Sequence, residues 1–288
     1  MKIKCWIEAV RLRTLPVSVS GVLVAMAYSL DNGTFVPWVA FACLVFAILC
    51  QTASNFANEY YDYRAGRDKA GREGPRRGVT EGDISPRAMK TATFVTLALA
   101  AAAGLLMVSR GGWWLIPAGA AIGLGALSYS TGPYPLSTHA LGEVAVFVFF
   151  GIVPVNLTYY VQALSWSVPV LLASASIGLM GANVLIVNNY RDIPDDRQVG
   201  KHTLATVMGA KAMPVLYFIN SVAAAALMWP SWTAHGLAWI AVPVVYVAVA
   251  ALIAVRMSRL SGKALNPFLG ITAMSMFVYS LLFLIYAA

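Results

Sequence analysis

Charged residues are scarce in this chain. Asp, Glu, Lys and Arg make up 11% of its 288 residues, while 59% are hydrophobic. A soluble globular chain carries about 25% charge and 45–50% apolar residues, so a soluble architecture is excluded. Cysteine is nearly absent: Cys5, Cys43 and Cys50 show no metal-site spacing and no disulfide framework. They read as packed or membrane-facing small side chains. Three histidines, His139, His202 and His235, have no ligand constellation around them in the sequence. The opening segment from Met1 to Ser20 has a basic flank but no small-residue cleavage site, so it reads as the entry to a first helix and not as a removable signal. The net charge of +8 does not point to nucleic acid, because Lys and Arg sit in connections between apolar runs. No aromatic-and-basic platform stands on a soluble domain to hold a nucleic acid strand.

What is abundant is long apolar sequence. Apolar segments fall near 16–30, 36–57, 91–109, 113–129, 141–160, 168–189, 212–230, 236–255 and 267–287, close to the length of about 20 residues that spans a bilayer as a helix. The chain is therefore expected to be all-α and polytopic, with nine transmembrane helices and one intramembrane domain over residues 1–288. The basic residues test this topology. Taking alternate connections as one side, nineteen of the twenty Lys and Arg residues fall on it, and the opposite side holds only Arg110. The positive-inside rule then puts the N-terminus in the cytoplasm and the C-terminus outside. The longest connection, about 63–90, is polar and glycine-rich; a flap over the bundle mouth and a plain solvated loop are both open readings.

Two polar clusters interrupt the apolar pattern: Asn55 to Asp62, and Asn188 to Asp196. Polar groups near lipid are costly unless they meet water, ions or each other. If the second helix runs on through Asp62, then Asn55, Asn58, Glu59 and Asp62 share a face at spacings of three and four. If the sixth runs past Asn189, then Asn188, Asp192 and Asp196 fall four apart, although Pro194 is positioned to end or kink it. Facing carboxylates repel unless neutralised. Mg²⁺ suits such a site, because it prefers oxygen ligands and is shared between carboxylates and substrate phosphates. Asn58, Glu59, Asp62, Asp68, Asp192 and Asp196 are the candidate metal ligands. Arg64, Lys69, Arg191, Arg197 and Lys201 are placed to offset a diphosphate, while Glu73, Glu81 and Asp83 read as loop charges. Ordinary solvated helix ends are the plainer reading of either cluster alone, but two clusters on one side argue against it.

A third stretch, Ser128 to Pro135 followed by Gly142 and Glu143, closes the same side between the fourth and fifth spans. Tyr129 and Tyr134 are candidate walls of an aromatic pocket or interfacial anchors. Glu143 opens an apolar helix without a basic sequence neighbour, so function, capping and pairing across the bundle all stand open. His139 is a candidate proton carrier.

The stretches Arg13-Thr14-Leu15-Pro16, Asn55 to Asp62 with Gly66 and Asp68, Tyr129 to Leu136 with Gly142-Glu143, and Asn188 to Asp196 with Gly200 to Leu204 carry a resemblance. The chain resembles the UbiA-type intramembrane prenyltransferase superfamily, and within it the branch acting on 1,4-dihydroxy-2-naphthoate in menaquinone synthesis. One departure stands out: Glu59 occupies a place where that pattern has aspartate. The resemblance implies a central cavity holding Mg²⁺ and a polyprenyl diphosphate, in a multi-pass protein of the bacterial cell membrane in contact with lipid. It implies that Asp62, Asp192, Asp196, Lys201 and Glu143 serve catalysis. It further implies that Arg13, Asn55, Asn58, Arg64, Tyr129, Tyr134, His139, Asn188 and Arg191 bind substrate. A related enzyme acting on 4-hydroxybenzoate, homogentisate or haem would use the same diphosphate site. A cation-coupled transporter is a further alternative, but its polar groups belong at the bilayer midplane on broken helices. A CDP-alcohol phosphotransferase would need one compact acidic motif, which the chain lacks.

Overall fold

A computed structural model describes residues 3–68, 74–234 and 236–288. Lys69, Glu73 and His235, named above, lie outside the described residues. The elements of the described residues are helices: α1 (Ile3–Val10), α2 (Leu15–Asp31), α3 (Pro37–Arg64), α4 (Pro86–Gly111) and α5 (Leu115–Ser128) form the first part. Next come α6 (Gly142–Ala163), α7 (Val168–Arg191), two short helices α8 (Ile193–Gln198) and α9 (Leu204–Met208), and then α10 (Ala212–Thr233), α11 (Ala241–Met257) and α12 (Asn266–Ala287). Proline opens many of these helices within the first turn, including α2, α3, α4, α7 and α12. The missing proline N–H falls where a helix has no internal acceptor to lose.

Each of the nine expected apolar segments is a helix. Among the described residues eight helical stretches are long and apolar enough to cross a membrane. The fourth expected segment is shorter: α5 has 14 residues, roughly 21 Å at 1.5 Å per residue. Arg110, the lone basic residue of the opposite side, caps α6 there. Its Nε donates to Val161 O and its Nη2 to Gln162 O, each at 2.8 Å, satisfying carbonyls that the helix end leaves open.

Small residues let the helices approach. Where α6 crosses α7, a Cβ on Gly151 would lie 2.3 Å from Gly178 Cα, and one on Gly178 would lie 2.6 Å from Phe147 O. The backbones therefore touch, a packing mode favoured where lipid offers no hydrophobic drive between helices. The crossing falls in a π-helical turn, Phe147–Ile152, inside α6. Such turns offset the register of a helix and recur at functional sites. Between α7 and α10, Asn183 Nδ2 donates to Tyr217 O and to Ser221 Oγ, and Ser176 Oγ donates to Ala224 O. These buried polar ties fix the pairing of two otherwise apolar surfaces.

The Gly178 contact gives a direct test. In detergent, Gly178→Val should lower the unfolding temperature by several degrees, as backbone overpacking costs about 1–3 kcal/mol. Gly270→Ala, in α12 with open space at its Cβ position, should leave it unchanged or raise it slightly.

Candidate active site

The second helix does continue through the first polar cluster, since α3 ends at Arg64. Its end is a glycine-closed turn. Gly66 takes φ +67, its N–H donates to Tyr63 O, and the N–H of Arg67 returns to Asp62 O. This double bond pattern places the residue after the glycine back over the last turn. Arg67 therefore lies against Asp62, with Nε and Nη2 at 2.9 and 2.8 Å from Oδ1, and Nη2 also donates to Ser130 O.

The second cluster ends in the same device. The N–H of Gly200, at φ +65, donates to Arg197 O, and the N–H of Lys201 returns to Asp196 O. Lys201 Nζ then sits 3.4 Å from Asp196 Oδ1. One pattern, aspartate, three residues, glycine and a cation, thus closes both helices: Asp62 to Arg67 and Asp196 to Lys201.

The expected continuous helix through Asp196 is not found. α7 stops at Arg191 and α8 restarts at Ile193, with Asp192 at φ −89° and ψ 4° between them. Pro194 has no N–H to carry the ladder onward and so breaks the helix here. Asp192 faces Arg191, whose Nε and Nη2 hold its two oxygens at 2.7 and 2.8 Å. Arg191 is itself buried and donates further to Asn188 Oδ1 and Asn266 Oδ1. It ties α7 to α12 as well as neutralising Asp192.

A cavity of about 580 Å³ opens between these helix ends. Arg13, Asn55, Asn58, Asp62, Asp68, Tyr129, Asn188, Arg191, Asp196 and Lys201 all line it. Asn58 joins several elements at the wall. It accepts at Oδ1 from Arg11 (2.6 Å) and Arg77 (3.0 Å), and its Nδ2 donates to Asp62 Oδ2 (2.7 Å) and Ser130 Oγ (3.0 Å). Asn55 donates to Val10 O at 2.9 Å, fastening the end of α1 beside the cavity. Asp68 lies 3.3 Å from Arg77 Nε.

Six of the expected site residues stand elsewhere. Glu59 is 1% exposed and is absent from the cavity wall; its Oε1 accepts from the Val79 N–H at 3.0 Å. Arg64 is two positions past Asp62, nearly half a turn around α3, and donates outward to Tyr60 Oη. Tyr134 is exposed and stacks on His139 with ring centroids 3.6 Å apart. Gly132 at φ +101 and the flanking prolines turn that loop outward, so neither ring reaches the cavity. Asp192 is held by Arg191 as described. Glu143 lies one layer behind the wall: Asn189, which lines the cavity, donates to its Oε1 at 2.8 Å, while Oε2 has no hydrogen-bond partner among the described residues. Arg197, the further candidate for the diphosphate, is exposed and also off the wall.

Sequence reading missed Arg11, Arg67, Arg77, Ser130 and Ser137. Arg67 was recoverable, since a glycine just past a helix predicts the return of the next residue. Arg77 was not, because a loop fold brings it back from nineteen positions away.

A second, apolar chamber of about 140 Å³ lies against the cavity. Gln51, Ser54, Tyr129, Val146 and Phe150 belong to both walls and form the boundary between them. Phe46, Met107, Leu115, Ile122, Phe149 and Leu157 line the chamber. Gly125 of α5 makes room for the Phe149 ring, which lies 2.2 Å from where a Cβ would stand.

The buried ion pair at Asp62 predicts a non-additive stability cycle. Arg67→Met should destabilise the protein by about 1–3 kcal/mol, the cost of leaving a buried acceptor without its donor. The double variant Asp62→Asn/Arg67→Met should be more stable than Arg67→Met alone, measured by unfolding in detergent.

Comparison with known proteins gives the family and the fold. The model of the UbiA prenyltransferase family matches residues 18–285. A 1,4-dihydroxy-2-naphthoate octaprenyltransferase of Mycobacterium leprae is 37% identical over 281 residues, covering 96% of this chain and 93% of the relative. The Escherichia coli protein of the same description is 36% identical over 213 residues, covering 72% and 69%. In fold the chain is similar to a UbiA homologue from Archaeoglobus fulgidus bound to DMAPP and Mg²⁺, with a TM-score of 0.65 at 15% identity, covering 95% of this chain and 98% of that one. The chain is a multi-pass membrane protein and belongs to the UbiA prenyltransferase family.

Proposed function

We propose that the protein transfers a polyprenyl group from its diphosphate to 1,4-dihydroxy-2-naphthoate, with release of diphosphate and CO₂. The observation that carries this reading is the wall shared by two unlike cavities, which we read as a neck joining them. A polar cavity walled by Arg11, Arg67, Arg77 and Lys201 suits a diphosphate, and the apolar chamber beyond it suits an isoprenoid tail. With head and tail so divided, the allylic carbon falls at the neck. Naphthoate as the acceptor is supported by the activity named for the relatives, at 36–37% identity over most of the chain. We read residues 1–288 as one intramembrane domain, with the basic side and the N-terminus cytoplasmic and the C-terminus outside, on the bias of Lys and Arg.

The donor set fits a hard divalent cation such as Mg²⁺. Among the described residues the cavity wall offers Asp, Asn and Ser oxygens and neither His nor Cys. Asp62, Asp68 and Asp196, with Asn58 and Asn188, would hold the ion, and when bound it offsets charge on the leaving diphosphate. Among the described residues no three Asp, Glu, His or Cys side chains form a ready metal cluster. That agrees with an ion whose remaining ligands are phosphate oxygens and water. Arg67 and Arg77 present planar donor forks to the phosphates, and Lys201 a compact charge. Fixed cations in a water-poor site stabilise negative charge as it develops on the leaving group. Phe150, Val146 and the Tyr129 ring close the neck to water. The electron-rich naphthoate ring attacks the allylic carbon as its C–O bond breaks, and the adduct loses the carboxyl group as CO₂ and its proton. Glu143 acts on the wall through Asn189, and Asp192 through Arg191.

The test uses the purified protein in lipid nanodiscs with polyprenyl diphosphate and a panel of aromatic acceptors, reading product mass and CO₂. Naphthoate should be prenylated and 4-hydroxybenzoate should not; the reverse result overturns the acceptor assignment. Chelation by EDTA should abolish turnover and added Mg²⁺ should restore it. Asp62→Asn and Asp196→Asn should each lower kcat by about 100-fold, in the range of lost electrostatic stabilisation at a reacting group. A chamber near 150 Å³ holds about one benzene-sized group, so it encloses about one isoprene unit and longer tails continue between helices into lipid. Since each further buried CH₂ would contribute about 0.8 kcal/mol, kcat/KM should stay nearly flat beyond two isoprene units.

A further inference from the structure

We propose that Glu59 is a positioning residue that seats Arg77 over the cavity, and not a ligand of the metal. Residues 77–84, in the connection between α3 and α4, fold back onto α3 as a strap. Arg77, Gly78, Val79 and Ile84 of that strap are buried, and Val79 and Ile84 pack with Phe56 and Tyr60 of α3 and with Cys5 of α1. Glu59 is the polar peg in this contact. Its Oε1 accepts from the Val79 N–H at 3.0 Å and lies 3.4 Å from where a Cβ on Gly78 would stand. A side chain at position 78 would also press within 3.0 Å of Ile84, so the strap approaches the helix as closely as glycine allows. Two positions before Val79, Arg77 turns the other way and donates to Asn58 Oδ1 at 3.0 Å, with its Nε 3.3 Å from Asp68.

Asn58 and Glu59 are adjacent on α3, so their side chains diverge by about 100° around the helix. Asn58 faces the cavity, and Glu59 faces the strap. One helix turn therefore holds the strap from beneath through Glu59 and receives its guanidinium on the cavity side through Asn58. Reach decides the residue type. Aspartate, one methylene shorter, would leave the Val79 N–H and the carboxylate apart in a water-poor contact. An unmet buried donor there weakens the docking. This inference rests on the diphosphate reading only for what Arg77 binds; the strap and its peg stand on geometry alone.

Two substitutions separate the roles by giving opposite orders. A positioning Glu59 needs length and an acceptor, so Glu59→Gln should stay within about threefold of wild type. Glu59→Asp should raise KM for polyprenyl diphosphate about tenfold, the effect of losing one charge-assisted hydrogen bond. A metal ligand would tolerate Asp and fail with Gln. The Mg²⁺ concentration for half-maximal activity should be unchanged in both variants. Brief trypsin treatment of the folded protein should cut after Arg76 or Arg77 faster in Glu59→Asp than in Glu59→Gln or wild type. If Glu59→Asp proves unstable, Arg77→Gln should reproduce its KM, and the double variant should be no worse than Arg77→Gln alone. A wild-type KM and trypsin rate in Glu59→Asp, or a raised Mg²⁺ requirement in Glu59→Gln, overturns the proposal. If wild type fails to prenylate naphthoate, the acceptor reading fails, and the trypsin comparison still decides the role of Glu59.

Discussion

Carboxylates can be kept inside a helical membrane bundle only if each meets a positive partner, because an uncompensated buried charge costs several kcal/mol. Four aspartates of the site obey this constraint. Asp62 meets Arg67, Asp68 meets Arg77, Asp192 meets Arg191 and Asp196 meets Lys201. The acidic residues needed to hold a cation and the basic residues needed to hold an anion are thus stored as pairs. On the proposed reading, a diphosphate with its divalent metal would present both signs at once and so engage each half of a pair without leaving the other half bare. The pairing itself lets the cavity be both highly charged and folded.

The same local device builds two walls of the cavity. A helix ends, a glycine in the left-handed region reverses the chain, and the next residue returns its side chain to the aspartate one turn earlier. The spacing from Asp62 to Arg67 repeats from Asp196 to Lys201. Beyond the walls, the apolar part depends on close packing. The Gly151–Gly178 crossing brings α6 onto α7, and the π-helical turn at that crossing sets where Phe149 and Phe150 stand. A polar cavity and an apolar chamber can then lie side by side across a shared wall.

The helical architecture was legible because lipid imposes it: long apolar runs have no other way to satisfy their backbone groups in a bilayer. The polar clusters were equally legible as exceptions to that pattern. Spacing along an ideal helix placed Asn55, Asn58 and Asp62 correctly, since α3 is unbroken to Arg64. It misplaced Glu59, because a shared carboxylate chemistry does not say which neighbour the side chain meets. It also put Asp192 on the cavity wall, although the break at Pro194 was foreseeable. Tyr134 and His139 were grouped with Tyr129 by proximity in sequence, but beyond the Gly-Pro turn they stack on each other off the cavity wall that Tyr129 lines.

By itself the sequence determined the class of molecule, the order of its helices and the side on which charge collects. These follow from local composition and from periodicity, which act over a turn or two of helix; the family followed from the resemblance carried by the motif stretches. Only the tertiary structure decided which cation neutralises which carboxylate, that Arg11 and Arg77 converge on Asn58, and that Glu59 serves a strap. Those outcomes depend on contacts between segments tens of residues apart, where loop closure and packing, not local spacing, select the partner.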